Sequence, residues 1–252
     1  MSLESNSELP KSNTTLIHAI ISNKVFIAQN ANASEGKGYH CFQTHKTLKY
    51  YPLCDDFGPM NMACVLRFIE TLNKEIEAHP NSKIVYCVPK GRRELTNGVF
   101  LLGSYMILFL NYTSLEVSKA FSWLDTTLIE HYRDATHLKS DFDLTLLDCW
   151  RGLERGQTLG WVRTSQPPPA PPGQWGQCDV DEYEHYDDPM NGDLHIVVPG
   201  KFVAFKGPRD LGGKVYHDDR RGFRHFSPGY YAEIFRSLAV TAVVRLNEPE
   251  YD

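Results

Sequence analysis

The stretch Cys87-Val-Pro-Lys-Gly-Arg-Arg93 sets a thiol and a guanidinium five residues apart. At that spacing a cysteine nucleophile and a phosphate-binding arginine can share one anion. The chemistry would be attack of a thiolate on phosphorus, with the N–H groups of a following helix N-terminus holding the oxygens. The flanking sequence suits this, because Ile84 to Val88 reads as a buried strand and a helix is predicted after Arg93. Three residues oppose it. Pro89 has no N–H to give to a cradle. Glu94 puts a negative charge where a small hydroxyl residue would assist the leaving thiolate. Gly91 alone supplies backbone freedom for tight wrapping. The spacing also recurs at Cys149 to Arg155, inside a predicted helix where no cradle can form. A buried strand cysteine is the simpler reading of Cys87.

Other candidate chemistry is weaker. His217 and His225 flank a polar stretch and His131 lies six residues before His137, but neither pair has zinc-ligand spacing. Asp179-Val-Asp181 opens like a calcium loop, then places Glu184 where a glycine belongs and Met190 where the closing glutamate belongs. No glycine-rich Walker loop occurs. No metal site, cofactor or catalytic residue is expected in this chain.

The segment Asp179 to Asp193 (DVDEYEHYDDPMNGD) carries seven of the 31 acidic residues, and no Lys or Arg occurs between Arg163 and Lys201. One reading is a solvated linker kept extended by its own charge. The other is a recognition surface: Tyr183 and Tyr186 alternate with carboxylates, and Glu184 and Asp187 fall on one face at helical spacing. Such a face suits the ammonium or guanidinium groups of a basic partner. Just upstream, residues 164–176 hold five of the fifteen prolines and read as extended polyproline, either a spacer or a ligand for SH3- or WW-type modules.

The elements that must position these groups follow from periodicity. Lys24 to Ala28 reads as a strand and Tyr39 to Leu53 as one or two more. Met60 to Ile76 recurs at three- and four-residue spacing and predicts a helix ended at His79-Pro80. The helix after Arg93 runs to about Leu110. Thr113-Ser-Leu-Glu116 has capping-box spacing for a third helix reaching Leu124, and residues 142–156 predict a fourth. Beyond Gly200, a strand at Lys201 to Phe205, a helix at Gly229 to Leu238 and a strand at Thr241 to Leu246 are expected. Strands alternating with helices give an α/β layer fold.

Composition bounds the function. The 252 residues carry a net charge of −5, which argues against a general nucleic-acid binder. The longest near-apolar run, Val99 to Leu110, falls short of the roughly 20 residues that cross a bilayer. The N-terminus lacks a basic region followed by an apolar one, so no signal peptide is expected, and the six scattered cysteines are read as reduced thiols of an intracellular protein.

The string Asp179-Val-Asp-Glu-Tyr-Glu-His-Tyr186, with Asn191-Gly-Asp-Leu194, Val198-Pro-Gly-Lys-Phe202 and Ala204-Phe205, resembles the dual-specificity protein phosphatases of mitotic exit, the cell-division-cycle-fourteen type. Asp56-Phe-Gly-Pro59 with Asn61, Tyr132-Arg-Asp-Ala135, Leu144 to Asp148, and Thr241 to Asn247 extend the match over about residues 18–252.

The resemblance implies two tandem phosphatase-like α/β domains joined by a linker helix. Here that means a mobile N-terminus (1–16), a non-catalytic N-terminal domain (17–158), a Pro-rich and acidic linker (159–199) and the truncated start of a catalytic domain (200–252), ending before the family's Cys-x5-Arg loop and general acid. It implies that the chain alone is inactive and serves as the substrate-recognition half. Glu184, Asp187 and Asp193 would then receive basic residues after a phosphoserine-proline site in cell-cycle proteins, with nuclear, nucleolar and spindle residence. The alternative is a non-catalytic adaptor for basic or SH3-type partners, without nucleic acid or membrane.

Overall fold

The computed structural model describes residues 17–29, 38–163, 176–246, 248 and 251. Residues 164–175 of the polyproline reading and the N-terminal stretch 1–16 lie outside the described residues.

The architecture is mixed α/β, in agreement with the sequence reading. A four-stranded sheet has the order β1 (Ile17–Ile21), β2 (Val25–Gln29), β4 (Lys83–Val88), β3 (Tyr39–Phe42). β1 and β2 form an antiparallel hairpin turned at Ser22 and Asn23, both at positive φ (42° and 54°), which suits the right-handed twist of the flanking strands. β2 and β3 both run parallel to β4, and a parallel pair such as β3 and β4 needs a crossover rather than a tight turn. Helix α1 (Met62–Ala78) provides the crossover from β3 to β4. Its N-cap is Asn61, whose side chain accepts from the Cys64 N–H at 2.9 Å.

Helix α2 (Arg92–Leu108) follows β4 and is buried on all sides from Leu95 to Leu108. The near-apolar run at Val99 to Leu110 therefore lies largely in a core helix, and no described helix is long and apolar enough to cross a membrane. Burial all round demands small residues at the closest approaches. A Cβ on Gly98 would come 2.5 Å from Val88 Cγ1, and one on Gly103 would overlap the Trp150 indole. That indole comes from α4 (Leu146–Thr158), and its Nε1 donates to the Phe100 carbonyl at 3.4 Å. Helix α3 (Ser114–Ala120) closes another side, started by the expected capping box at Thr113 and Glu116.

The boundaries differ from the sequence reading in places with identifiable causes. Tyr39 to Leu53 is a strand only to Phe42. The buried Thr44 then bonds its hydroxyl to the Tyr86 hydroxyl (2.8 Å) while its carbonyl accepts from Thr47 and Leu48, which turns the chain out of the sheet. α4 starts four residues later than expected, at a second capping box formed by Thr145 and Asp148, because Asp143–Leu144 (β6) pairs with Tyr132–Arg133 (β5). Thr241 to Leu246 is not a strand. It belongs to no described sheet and leaves Leu246 94% exposed, since a strand needs a partner for its amides.

The acidic segment is structured. Val180–Asp187 forms α5, capped by the Asp179 side chain on the Glu182 N–H at 3.0 Å. Tyr183 of α5 is buried with Leu194 and Ile196 of β7 (Leu194–Val198), Phe226 of β10 (Arg224–Phe226), Tyr231 and Ile234 of α6 (Pro228–Ser237), and Ala63 of α1. β7 pairs with β8 (Phe202–Phe205) and β10 with β9 (Tyr216–Asp218).

The Gly103–Trp150 contact gives the first prediction. Gly103→Val should lower stability by about 1–3 kcal/mol through overpacking, read as a lower urea midpoint at unchanged slope.

Candidate functional site

Cys87 does not form a phosphate site. Side-chain alternation along β4 sends Ile84, Tyr86 and Val88 to the core under α2, while Val85 and Cys87 point to the opposite face with Phe26, Ala28 and Cys41. Burial, with the neighbouring Cys41 thiol, pushes the Cys87 thiol up to about 12, so it holds no thiolate near neutrality. Arg93 turns elsewhere. It pairs with Glu130 (2.8 Å) and Asp55 (3.2 Å) and lies over the Phe57 ring. The Glu94 carboxylate folds back against Gly91, which caps α2 at φ 148°, so the helix N-terminus already faces an anion of its own chain. The Gln29 amide holds the loop by donating to the Pro89 and Gly91 carbonyls at 3.1 and 2.6 Å.

The acidic surface is assembled by three elements. On α5, Asp181 and Glu184 both engage Arg67 of α1, with Glu184 at 3.2 Å from Nη2 and 3.4 Å from Nε. Asp187, one turn further, accepts from the Asn61 side-chain amide at 3.2 Å and meets His195 Nδ1 at 2.5 Å. Asp193 lies on the turn after α5 and faces His195 Nε2 at 3.7 Å and Lys206 Nζ at 3.8 Å. His195 therefore bridges the last two of the three residues expected from the sequence. The first is joined to them across Cys64, whose thiol is raised to about 11 by burial and then by the charges of Glu184 and Asp187.

Tertiary bonds fix the Asp193 turn. Tyr230 and Tyr231 of α6 donate their hydroxyls to the Asn191 and Gly192 carbonyls, each at 2.7 Å. Asp193 itself sits at φ 50°, a left-handed conformation that Asp tolerates better than most residues. Its carbonyl accepts from the Lys206 N–H at 3.0 Å.

Asp181, Arg67, His195 and Lys206 join this surface without having been assigned to it from the sequence. Asp181 is three residues before Glu184, a helical spacing that signals a shared face. Arg67 is distant in sequence and carried no signal; it is placed by the packing of α1 on α5. An open cleft beside it is lined by Leu66, Arg67, Glu70, Cys178 and Asp181.

Electrostatics at His195 and at Cys87 each yield an expected outcome. The hydrogen bond that the ring donates to Asp187 raises the imidazole above its ordinary 6.5, against the opposing effect of burial. A group with a raised folded value adds stability that is complete below about pH 6.5 and lost as pH rises through the folded value. His195→Gln should therefore lower the urea midpoint at pH 5.5 and leave it unchanged at pH 9. Cys87 should resist alkylation at pH 7.5 in the folded chain and label only after denaturation, as peptide mapping would show.

Comparison with known proteins places the chain in a family. The family described as "Dual specificity protein phosphatase, N-terminal half" matches residues 19–156. The human dual specificity protein phosphatase CDC14A is 34% identical over 215 residues, which cover 84% of this chain and 34% of the relative. CDC14C of Symphalangus syndactylus is 32% identical over 218 residues, 84% of this chain and 41% of the relative. The tyrosine-protein phosphatase cdc-14 of Caenorhabditis elegans is 28% identical over 223 residues. The chain spans about two fifths or less of the length of these relatives. The degenerate Cys87 loop lies within the matched N-terminal half, and the chain belongs to the CDC14-type dual-specificity protein phosphatase family.

Proposed function

We propose that this chain is the substrate-recognition half of a dual-specificity phosphatase, presenting the acidic surface of α5 and its following turn to basic residues near a phosphoserine-proline site. The observation that carries this reading is the internal occupancy of the surface. Asp181 and Glu184 hold the guanidinium of Arg67, and Asp187 and Asp193 hold an imidazole and an ammonium. Carboxylates set at spacings that accept a guanidinium from one element can accept one from a peptide, and fixed carboxylates bind it more firmly than mobile ones.

Hydrolysis of the phosphoserine would proceed through a cysteinyl-phosphate on the catalytic domain of the complete enzyme, the thiolate displacing serine and water then releasing phosphate. Cys87 supplies no such thiolate, so this chain by itself is proposed to be without turnover. Phosphorylated cell-cycle proteins as substrates, residence in the nucleus, nucleolus and spindle, and a linker at 159–199 between a domain at 17–158 and one starting at 200 belong to the same proposal.

Fluorescence anisotropy tests it. A phosphoserine-proline peptide followed by Lys and Arg should bind the chain, weaken as salt rises from 50 to 300 mM, and lose about three- to tenfold in affinity on Glu184→Arg. Arg67→Ala, which frees two carboxylates, should tighten binding. Equal affinity for a peptide with its basic residues replaced by alanine would overturn the proposal.

A further inference from the structure

A cluster of metal-ligating side chains lies toward the opposite end of α1 from the acidic surface. His40 of β3 places Nε2 2.7 Å from Glu75 Oε2, and His79, the C-cap of α1, places its Nε2 4.0 Å from the same oxygen. The two imidazoles stack face to face, with centroids 3.5 Å apart and planes 19° from parallel. One nitrogen from each ring and one carboxylate oxygen lie within 4.8 Å of one another.

We infer that His40, Glu75 and His79 form a binding site for Zn²⁺, with three protein ligands and a fourth position open to solvent. The donor set is two imidazole nitrogens and one carboxylate oxygen, which suits zinc and not the hard, all-oxygen preference of calcium or magnesium. A tetrahedral site with bonds near 2.0 Å needs donors about 3.3 Å apart. The 2.7 and 4.0 Å separations bracket that figure. The adjustment falls on His79, whose side chain is 39% exposed at the helix end and free to swing inward.

The ligands stand on fixed supports. Glu75 and His79 are four residues apart on the last turn of α1, and His40 pairs with Ile84 of β4. Lys24, beside the helix end, is held by the carbonyls of His79, Pro80 and Ser82 at 3.0, 2.8 and 2.6 Å. It anchors the segment carrying His79, and its charge is shared among three carbonyls. The partial negative charge of a helix C-terminus favours a cation there. The sequence reading passed over this set because His40 lies 35 residues before Glu75, and only the pairing of β3 on β4 brings them together.

The test uses the full chain under reducing conditions. Titration with Co²⁺ should give the visible d–d absorption of a four-coordinate site at one equivalent, displaced by Zn²⁺, without the thiolate charge-transfer band that cysteine ligands would produce. Zn²⁺ should raise the Tm. His40→Ala and His79→Ala should each cost at least tenfold in Zn²⁺ affinity, and Glu75→Gln, which keeps the hydrogen-bonding shape, should do the same. Metal-free Tm values near wild type would show that the variants fold. A thiolate band, or a Zn²⁺-dependent Tm rise that survives both histidine variants, would overturn the inference.

Discussion

The organising constraint is the burial of α2 on every side. A helix with only one apolar face needs only one partner, but Leu95 to Leu108 is sealed by the sheet, α1, α3 and α4 together. Each neighbour is therefore obliged to lie close. The approach of α4 requires Gly103 beneath the Trp150 indole, and the approach of β4 requires Gly98 beside Val88. The same packing orients β4 so that Tyr86 faces the core and Cys87 faces away. The loss of a working thiol loop follows from this parity as much as from Pro89 or Glu94. A one-residue slip in β4 would reverse it, at the cost of every core contact the strand makes.

The acidic surface depends on the core indirectly. Seven carboxylates within Asp179 to Asp193 repel one another, and such a run would stay extended without compensation. Compensation comes from apolar burial and from imported cations. Tyr183 is 6% exposed within an aromatic cluster, which fixes one face of α5. Arg67, His195 and Lys206 then neutralise the other. Removing those seven carboxylates leaves 24 acidic against 26 basic residues, so the net negative charge of the whole chain is concentrated here.

Much of this was legible in the sequence because its cause is local. The 3.6-residue period of α1, the capping box at Thr113, the apolar run of β4 and the objections to Cys87 all rest on neighbours within a few residues. The strings shared with the phosphatase family identified the fold and singled out Glu184, Asp187 and Asp193. What stayed hidden was set by distant partners. Thr44 turns the chain because Tyr86 is there to meet it, and Thr241 to Leu246 lacks a partner that its β-branched composition could not reveal. Arg67 and His195 carried no pattern at all. Their roles arise from α1 packing on α5 and from the alternation of β7, which exposes His195 between buried Leu194 and Ile196.

From its Asn61 cap to its His79 cap, α1 spans about 27 Å at 1.5 Å per residue. Asn61 and Arg67 serve the acidic surface, while Glu75 and His79 stand at the far end. The nearest charges of the two groups, Arg67 and Glu75, are eight residues and so about 12 Å apart along the axis, between one and two Debye lengths at physiological ionic strength. A single rigid helix thus carries two charge-bearing regions that feel each other weakly, and the small coupling left between substitutions at the two should shrink further as salt is added.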